Sequence, residues 1–182
     1  MEKNNYKIAV IPGDGIGNEV MPEAIRVLEK IAERYNISFD FDHKDWSCER
    51  FHKFGSMMPE DGLDEIQDHD SILLGAVGFP GVPDHVSLWG LLIPIRRQFQ
   101  QYVNLRPVCL LEGMKCPLAN RKPGDIDFWI VRENNEGEYS EVGGRMFQGT
   151  EEEFAVQQSI FTRRGVDRIM RYAFELAKTR NR

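Results

Sequence analysis

The sequence predicts an α/β protein: a parallel or mixed sheet with helices on both faces, incomplete in this chain, and carrying a projecting hairpin arm. Three observations carry that expectation. Short apolar runs alternate along the chain with segments of 3.6-residue periodicity, the rhythm of βα units. The run Ser71–Ala76 (SILLGA) is apolar enough for a strand covered on both faces. The stretch from about 138 to 160 then breaks the βα rhythm.

Taken in order, Tyr6–Ile11 reads as a short buried strand that ends at Pro12 and the glycine-rich turn Gly13-Asp14-Gly15-Ile16-Gly17. A helix from about Glu19 to Tyr35 has the stripe Val20, Ala24, Val27, Leu28 and Ile31, with Pro22 in a first turn that tolerates it. Ile37, Phe39 and Phe41 alternate with polar residues as a second strand. After a mixed stretch, Pro59–Gln67 reads as a short helix with an acidic first turn. Val77–His85 is a Gly- and Pro-rich loop. Leu88, Leu91, Leu92, Ile95 and Phe99 form the next helical stripe, with a kink or late start expected at Pro94.

Val103–Val108 and Asp127–Arg132 are strand candidates. Glu138–Gln148 carries Gly143-Gly144 between extended runs, a hairpin signal, and Phe154–Ile160 is a further extended segment. Thr162 is placed to cap a final helix with the stripe Val166, Ile169, Met170, Ala173, Phe174 and Ala177. The domain reading is residues 1–102, the start of a first α/β domain, and 103–182, the start of a second that includes the arm. An alternating apolar arm predicts a homodimer. The final helix, ending Thr179-Arg180-Asn181-Arg182, leads into no closing strand, which reads as an interruption unless it is simply a terminal helix.

With 182 residues, 41% hydrophobic and 29% charged, the chain can bury a core and is not of disordered composition. A net charge of -6 argues against a nucleic-acid partner, whose phosphates call for a basic surface. Cys48, Cys109 and Cys116 have no CxxC spacing, so reduced thiols are expected rather than disulfides or a zinc site. No apolar run suits a membrane span and MEKNNYK has no signal-peptide core, so no membrane association and a cytoplasmic location are expected.

Several residues are candidates for chemistry. The Gly13–Gly17 turn joins a strand to a helix but is not G-x-G-x-x-G, because Asn18 stands at the last position. Its glycines either let backbone approach a ligand or only supply a tight turn. Arg96, Arg106 and Arg132 lie near element ends, and arginine's fork suits carboxylates; the alternative is an ordinary ion-pair network with Glu112, Glu133 or Glu136. Tyr139, just beyond Arg132, either packs or donates a proton, since an adjacent positive charge favours the phenolate left behind. His69 and His85 have no metal-ligand spacing.

Three segments in order, IAVIPGDGIGNEV, IRRQFQQYVNLRPV and DFWIVRENNEGEYS, resemble the NAD- and metal-dependent β-decarboxylating dehydrogenases that act on isopropylmalate, isocitrate and tartrate or D-malate. DHVSLWGLL and ANRKPGDIDFWIVREN are most similar to the tartrate/D-malate branch. Gly90 stands roughly where bacterial isocitrate enzymes place a substrate-contacting serine, which weakens that branch.

The resemblance implies an isopropylmalate-dehydrogenase-like fold and a set of roles. Arg96, Arg106, Arg132 and Ser87 would bind a small 2-hydroxy dicarboxylate, and Tyr139 would protonate the enolate left by decarboxylation. Gly13, Asp14, Gly15, Ile16, Val77 and Gly78 would lie by the nicotinamide end of NAD, and Mg²⁺ or Mn²⁺ would assist. Residues 1–102 would be cofactor-side and 103–182 would carry substrate and dimer contacts.

Family members run to about twice this length, as two-domain enzymes do. The absent half would supply the catalytic lysine, the metal ligands and the adenosine loop, leaving residues 1–182 inactive and poorly folded alone. A 3-isopropylmalate enzyme, or a non-catalytic regulatory homologue, are the alternatives.

Overall fold

The computed structural model describes residues 4–180 and resolves into two compact units, Met1–Phe99 and Gln100–Arg182. Met1–Lys3 and Asn181-Arg182, the latter part of the expected final helix, lie outside the described residues.

The first unit centres on a three-stranded parallel sheet in the order β2-β1-β3, formed by β1 (Asn5–Gly13), β2 (Ser38–His43) and β3 (Ser71–Ala76). Side chains of β1 alternate between faces, and both faces are covered. Ile8 and Val10 pack with Met21 of helix α1 (Ile16–Tyr35), joined by Ile25, Phe39 and Leu73. Ala9 and Ile11 pack in the opposite layer with Trp46, Cys48, Met57, Ile66, Leu91 and Ile95. The central strand is thus sealed as a parallel strand must be.

The anticipated stripe of α1 is only half right. The buried face runs through Gly17 and Met21, with Ala24 and Leu28 half-buried, while Val20, Val27 and Ile31 are exposed. This helix carries two apolar stripes, and the periodicity alone did not say which one the sheet takes. It also starts at Ile16, three residues before the expected Glu19. Pro22 is therefore inside the helix, where it removes the bond to the Asn18 carbonyl, and not in the first turn.

Helix α2 (Cys48–Phe54) arises in the stretch that had no periodicity. Ser47 caps it, its hydroxyl accepting from the Arg50 N–H at 3.1 Å, and Gly55 ends it in the left-handed region. Helix α3 is limited to Gly62–Ile66 within the expected Pro59–Gln67. Strand β3 has the expected bounds but is a sheet edge among the described residues, and Leu74 is 40% exposed rather than covered. Beyond α4 (Asp84–Ser87), Leu88–Leu92 forms a π-helical turn before α5 (Ile93–Gln98). A kink or a late helix start is the expectation at Pro94; α5 starts at Ile93, so Pro94 falls in its first turn, directly after the widened turn.

The second unit contains two separate antiparallel pairs, β4 (Val103–Cys109) with β5 (Asp127–Glu133), and β6 (Gly137–Met146) with β7 (Phe154–Ile160). Gly143-Gly144 is not the hairpin turn. Both lie within β6, and the chain reverses over 147–153. A side chain on Gly143 would strike the carbonyl of Val156 on the partner strand, so glycine there permits close pairing. Every residue of β7 is exposed.

Helix α6 (Arg163–Lys178) is capped by Thr162, whose hydroxyl accepts from the Gly165 N–H at 3.0 Å. Its covered face is Gly165, Arg168, Ile169, Tyr172, Ala173 and Leu176. Val166, Met170 and Phe174 of the expected stripe are exposed. Arg168 takes part of the covered face as a half-buried ion-pair partner, where the pattern expected only apolar residues.

Candidate functional site

Two clusters gather the residues singled out from the sequence, one in each unit. The first lies at the carboxyl ends of β1 and β3, where open parallel sheets bind ligands. Asp14 is buried and its carboxylate accepts the Cys48 N–H at 3.0 and 3.1 Å and the Gly78 N–H at 3.1 Å. Its own N–H donates to the Ala76 carbonyl at 2.6 Å. One side chain thereby ties the Gly13–Gly17 turn, the Val77-Gly78 loop and the first residue of α2.

The turn's glycines divide in role. Gly13 has φ 77°, and a side chain on it or on Gly17 would strike backbone, the Ala76 carbonyl or the Pro12 carbonyl. These two allow strand and helix to meet. Gly15 and Gly78 also have positive φ, but no atom lies within 4 Å of where a side chain would begin. That open backbone, with Ile16 exposed beside it, is a surface a flat ligand can approach.

Cys48 is buried against Asp14. Burial, then the hydrogen bond and charge of that carboxylate, push its thiol up to about 11. Ser87 is buried too, its hydroxyl donating to the Asp84 carbonyl at 3.3 Å within its own helix. Arg96 is half-buried on α5.

The second cluster is built on the β4–β5 pair. Asn104 stands opposite Arg132, and Arg106 lies two residues from Asn104, so all three side chains share one face. Arg106 and Arg132 are diagonal neighbours there, roughly 7–8 Å apart at the backbone. Arg106 Nε donates to Asn104 Oδ1 at 3.2 Å. Arg132 Nη2 donates to Tyr139 Oη at 2.8 Å, and its guanidinium carbon lies 5.3 Å from the ring centre. Glu138 is the carboxylate near Arg132, at 3.8 Å and 82% exposed. Glu133 and Glu136, candidates for an ordinary network with these arginines, are engaged with Arg168 and Thr162 instead.

The profile of the isocitrate/isopropylmalate dehydrogenase family matches residues 7–182. The chain belongs to this family. It is 59% identical over 178 residues to the D-malate dehydrogenase [decarboxylating] of Escherichia coli strain K12, covering 97% of this chain and 49% of that protein. It is 56% identical to the tartrate dehydrogenase/decarboxylase of Pseudomonas putida, covering 100% of this chain and 50% of the other. Among solved structures, the isocitrate dehydrogenase of Methylococcus capsulatus superposes with a TM-score of 0.75 at 29% identity, over 96% of this chain and 48% of that one. A β-decarboxylating dehydrogenase of Thermococcus kodakarensis gives 0.66 at 34% identity, over 96% and 46%. The chain spans about half the length of the curated relatives it matches.

As a chain of the isocitrate/isopropylmalate dehydrogenase family, it has supporting residues that sequence reasoning passed over. Cys48 was noticed only as a thiol, although its backbone N–H is what Asp14 holds. Asn104 had a usable signal, its spacing of two from Arg106 on a strand. Glu133 and Glu136 were weighed only as partners of Arg96, Arg106 or Arg132, and nothing local pointed to their contacts with Arg168 and Thr162, which lie 35 and 26 residues away. Among the described residues no three His, Cys, Asp or Glu side chains form a metal-binding group, and no helix is long and apolar enough to cross a membrane.

Proposed function

We propose that this chain provides the substrate-carboxylate contacts, the proton donor and the nicotinamide-side surface of an NAD-dependent dehydrogenase that oxidises and β-decarboxylates D-malate and tartrate. The contact between Arg132 and Tyr139, with Arg106 on the same sheet face, is the observation that carries this reading.

In this reading Arg106 and Arg132 bind substrate carboxylate through charge-assisted hydrogen bonds. Arg96 and Ser87 have substrate roles by resemblance, each to be tested by its own substitution. Gly13, Asp14, Gly15, Ile16, Val77 and Gly78 form the cofactor-side surface; the open backbone at Gly15 and Gly78 suits a planar ring, while Asp14 acts by holding the two segments together.

NAD, when bound, would supply the hydride acceptor for the substrate carbinol. Loss of the β-carboxyl as CO₂ then leaves an enolate, and Tyr139 Oη gives its proton to the enolate carbon while Arg132 stabilises the phenolate. Mg²⁺ or Mn²⁺ belongs to the same reading, its ligands expected in the half of the relatives' length that this chain does not span. A cytoplasmic homodimer belongs to the same reading. Exposed Phe154, Val156 and Ile160 on the β6–β7 hairpin support a partner chain there.

The test is NADH formation and CO₂ release by the complete protein with D-malate, tartrate and 3-isopropylmalate, with and without Mn²⁺. Metal-dependent turnover of the first two, and none by residues 1–182 alone, is expected. A preference for 3-isopropylmalate, or turnover by residues 1–182 alone, overturns it.

A further inference from the structure

The segment that joins Arg132 to Tyr139 is fastened along its length. Glu133 Oε2 accepts the N–H groups of Asn135 at 2.8 Å and Glu136 at 2.6 Å, while Oε1 accepts from Arg168 Nη2 at 2.9 Å. Both partners of that ion pair are largely buried, 14% and 21% exposed, and the Arg168 guanidinium stacks 4.6 Å from the Tyr102 ring centre. Asn134 is buried, its N–H donating to the Tyr102 carbonyl at 3.0 Å and its Nδ2 to the Gln101 carbonyl at 3.1 Å. Glu136 accepts the N–H of Thr162 at 2.9 Å and its hydroxyl at 2.6 Å.

Strand alternation explains the arrangement. Asp127, Trp129 and Glu133 point to the face that α6 covers, where Arg180 meets the first two and Arg168 the third. Arg132 therefore points to the opposite face, with Asn104 and Arg106. A largely buried salt bridge contributes little net stability, and Arg168 Nε has no hydrogen-bond partner among the described residues, yet the two backbone N–H groups on Glu133 Oε2 and Arg168 Nη2 on Oε1 fix its geometry. Here the fixed geometry is that of the segment delivering the Tyr139 hydroxyl to Arg132.

We propose that Glu133 and Arg168 are positioning residues for the proton-transfer step, holding Tyr139 against Arg132 from the reverse side of β5. This inference rests on the function proposed above. In the complete protein, Arg168→Met is expected to lower kcat with D-malate about 10- to 100-fold, the cost of roughly 1 Å of misplacement. The KM for NAD should change less than about 2-fold, and the pH profile of kcat should shift. Arg168→Lys, which keeps the charge but loses the fork, should recover only part of the rate.

A ¹³C-tyrosine spectrum reads the Tyr139 ring directly and should move in Arg168→Met and in Glu133→Gln. If Arg168→Met does not fold, Glu133→Gln, which keeps shape and one acceptor, decides. Folded variants with unchanged kcat and an unchanged Tyr139 resonance overturn the proposal. A wild-type protein inactive on both acids overturns the substrate reading alone, because the resonance still tests the positioning.

Discussion

The Asp14 cluster and the Arg132–Tyr139 cluster both gather residues that sequence reasoning singled out, yet they are built in opposite ways. Asp14 is closed: a buried carboxylate accepting two backbone N–H groups, with no ion-pair partner among the described residues. The other is open: Arg132 is 36% exposed and Arg106 is exposed, so their forks have donors left for a ligand. A charged residue in a glycine-rich strand-to-helix turn can be architecture, while one on a half-covered sheet face is open to a ligand. Substitutions should separate the two, through turnover for the open cluster and stability for the closed one.

The largest effect is expected at Tyr139. On the proposed function Tyr139→Phe in the complete protein removes the proton donor, and it should lower kcat about 10²- to 10⁴-fold with little change in denaturation midpoint. A rate within 3-fold of wild type, in the presence of saturating substrate, would remove Tyr139 from the reaction.

Asp14→Ala reverses the pattern. It leaves the buried Cys48 N–H without its acceptor, at a cost of about 1–3 kcal/mol, and frees the Gly78 N–H on an exposed loop where water can replace the carboxylate. A loss of about 1–3 kcal/mol in urea denaturation is expected. Asp14→Asn, retaining an acceptor oxygen, should lose about half as much. If Asp14→Ala is as stable as wild type, the clamp is not holding the turn.

These expectations show which features the sequence made legible. The strands were readable because apolar runs as short as Ser71–Ala76 leave few alternatives, and the Thr162 cap because its hydroxyl acts on the Gly165 N–H three residues away. Arg132 and Tyr139 were readable as a pair, being seven apart across one tight connection. The faces of α1 and α6 were not, because each carries apolar residues on more than one side, and the choice between them depends on what packs there. The same is true of Gly143, which reads as a turn signal until the approach of Val156 gives it another reason. The Asp14–Cys48–Gly78 link was hidden by sequence separations of 34 and 64 residues.

Thiol chemistry gives a smaller contrast between closed and open environments. Cys48 is buried with its thiol pushed up to about 11, whereas Cys109 is exposed at the end of β4. At pH 8, iodoacetamide should modify Cys109 readily and leave Cys48 intact until the chain is denatured, as read by peptide mass spectrometry. Early labelling of Cys48 in the native protein would show that the Asp14 cluster opens.

The smallest effect concerns Glu136, where the open cluster meets helix α6. Burial alone would raise its carboxyl, but the hydrogen bonds from Thr162 and the charge of Arg168 hold it below the ordinary carboxylate range. A depressed folded-state pKa means that the ionised form stabilises the fold. That contribution is complete above the carboxyl's unfolded value and is lost as pH falls through the folded one. Amide exchange in the first turn of α6, at Gly165 and Val166, should therefore accelerate relative to mid-helix amides as pH drops from about 5 towards 3. Glu136→Gln should show the weaker protection at every pH and no dependence of its own. If wild type and Glu136→Gln respond alike to acid, the Glu136–Thr162 contact is not what couples the loop to the helix, and Glu133–Arg168 carries that connection alone.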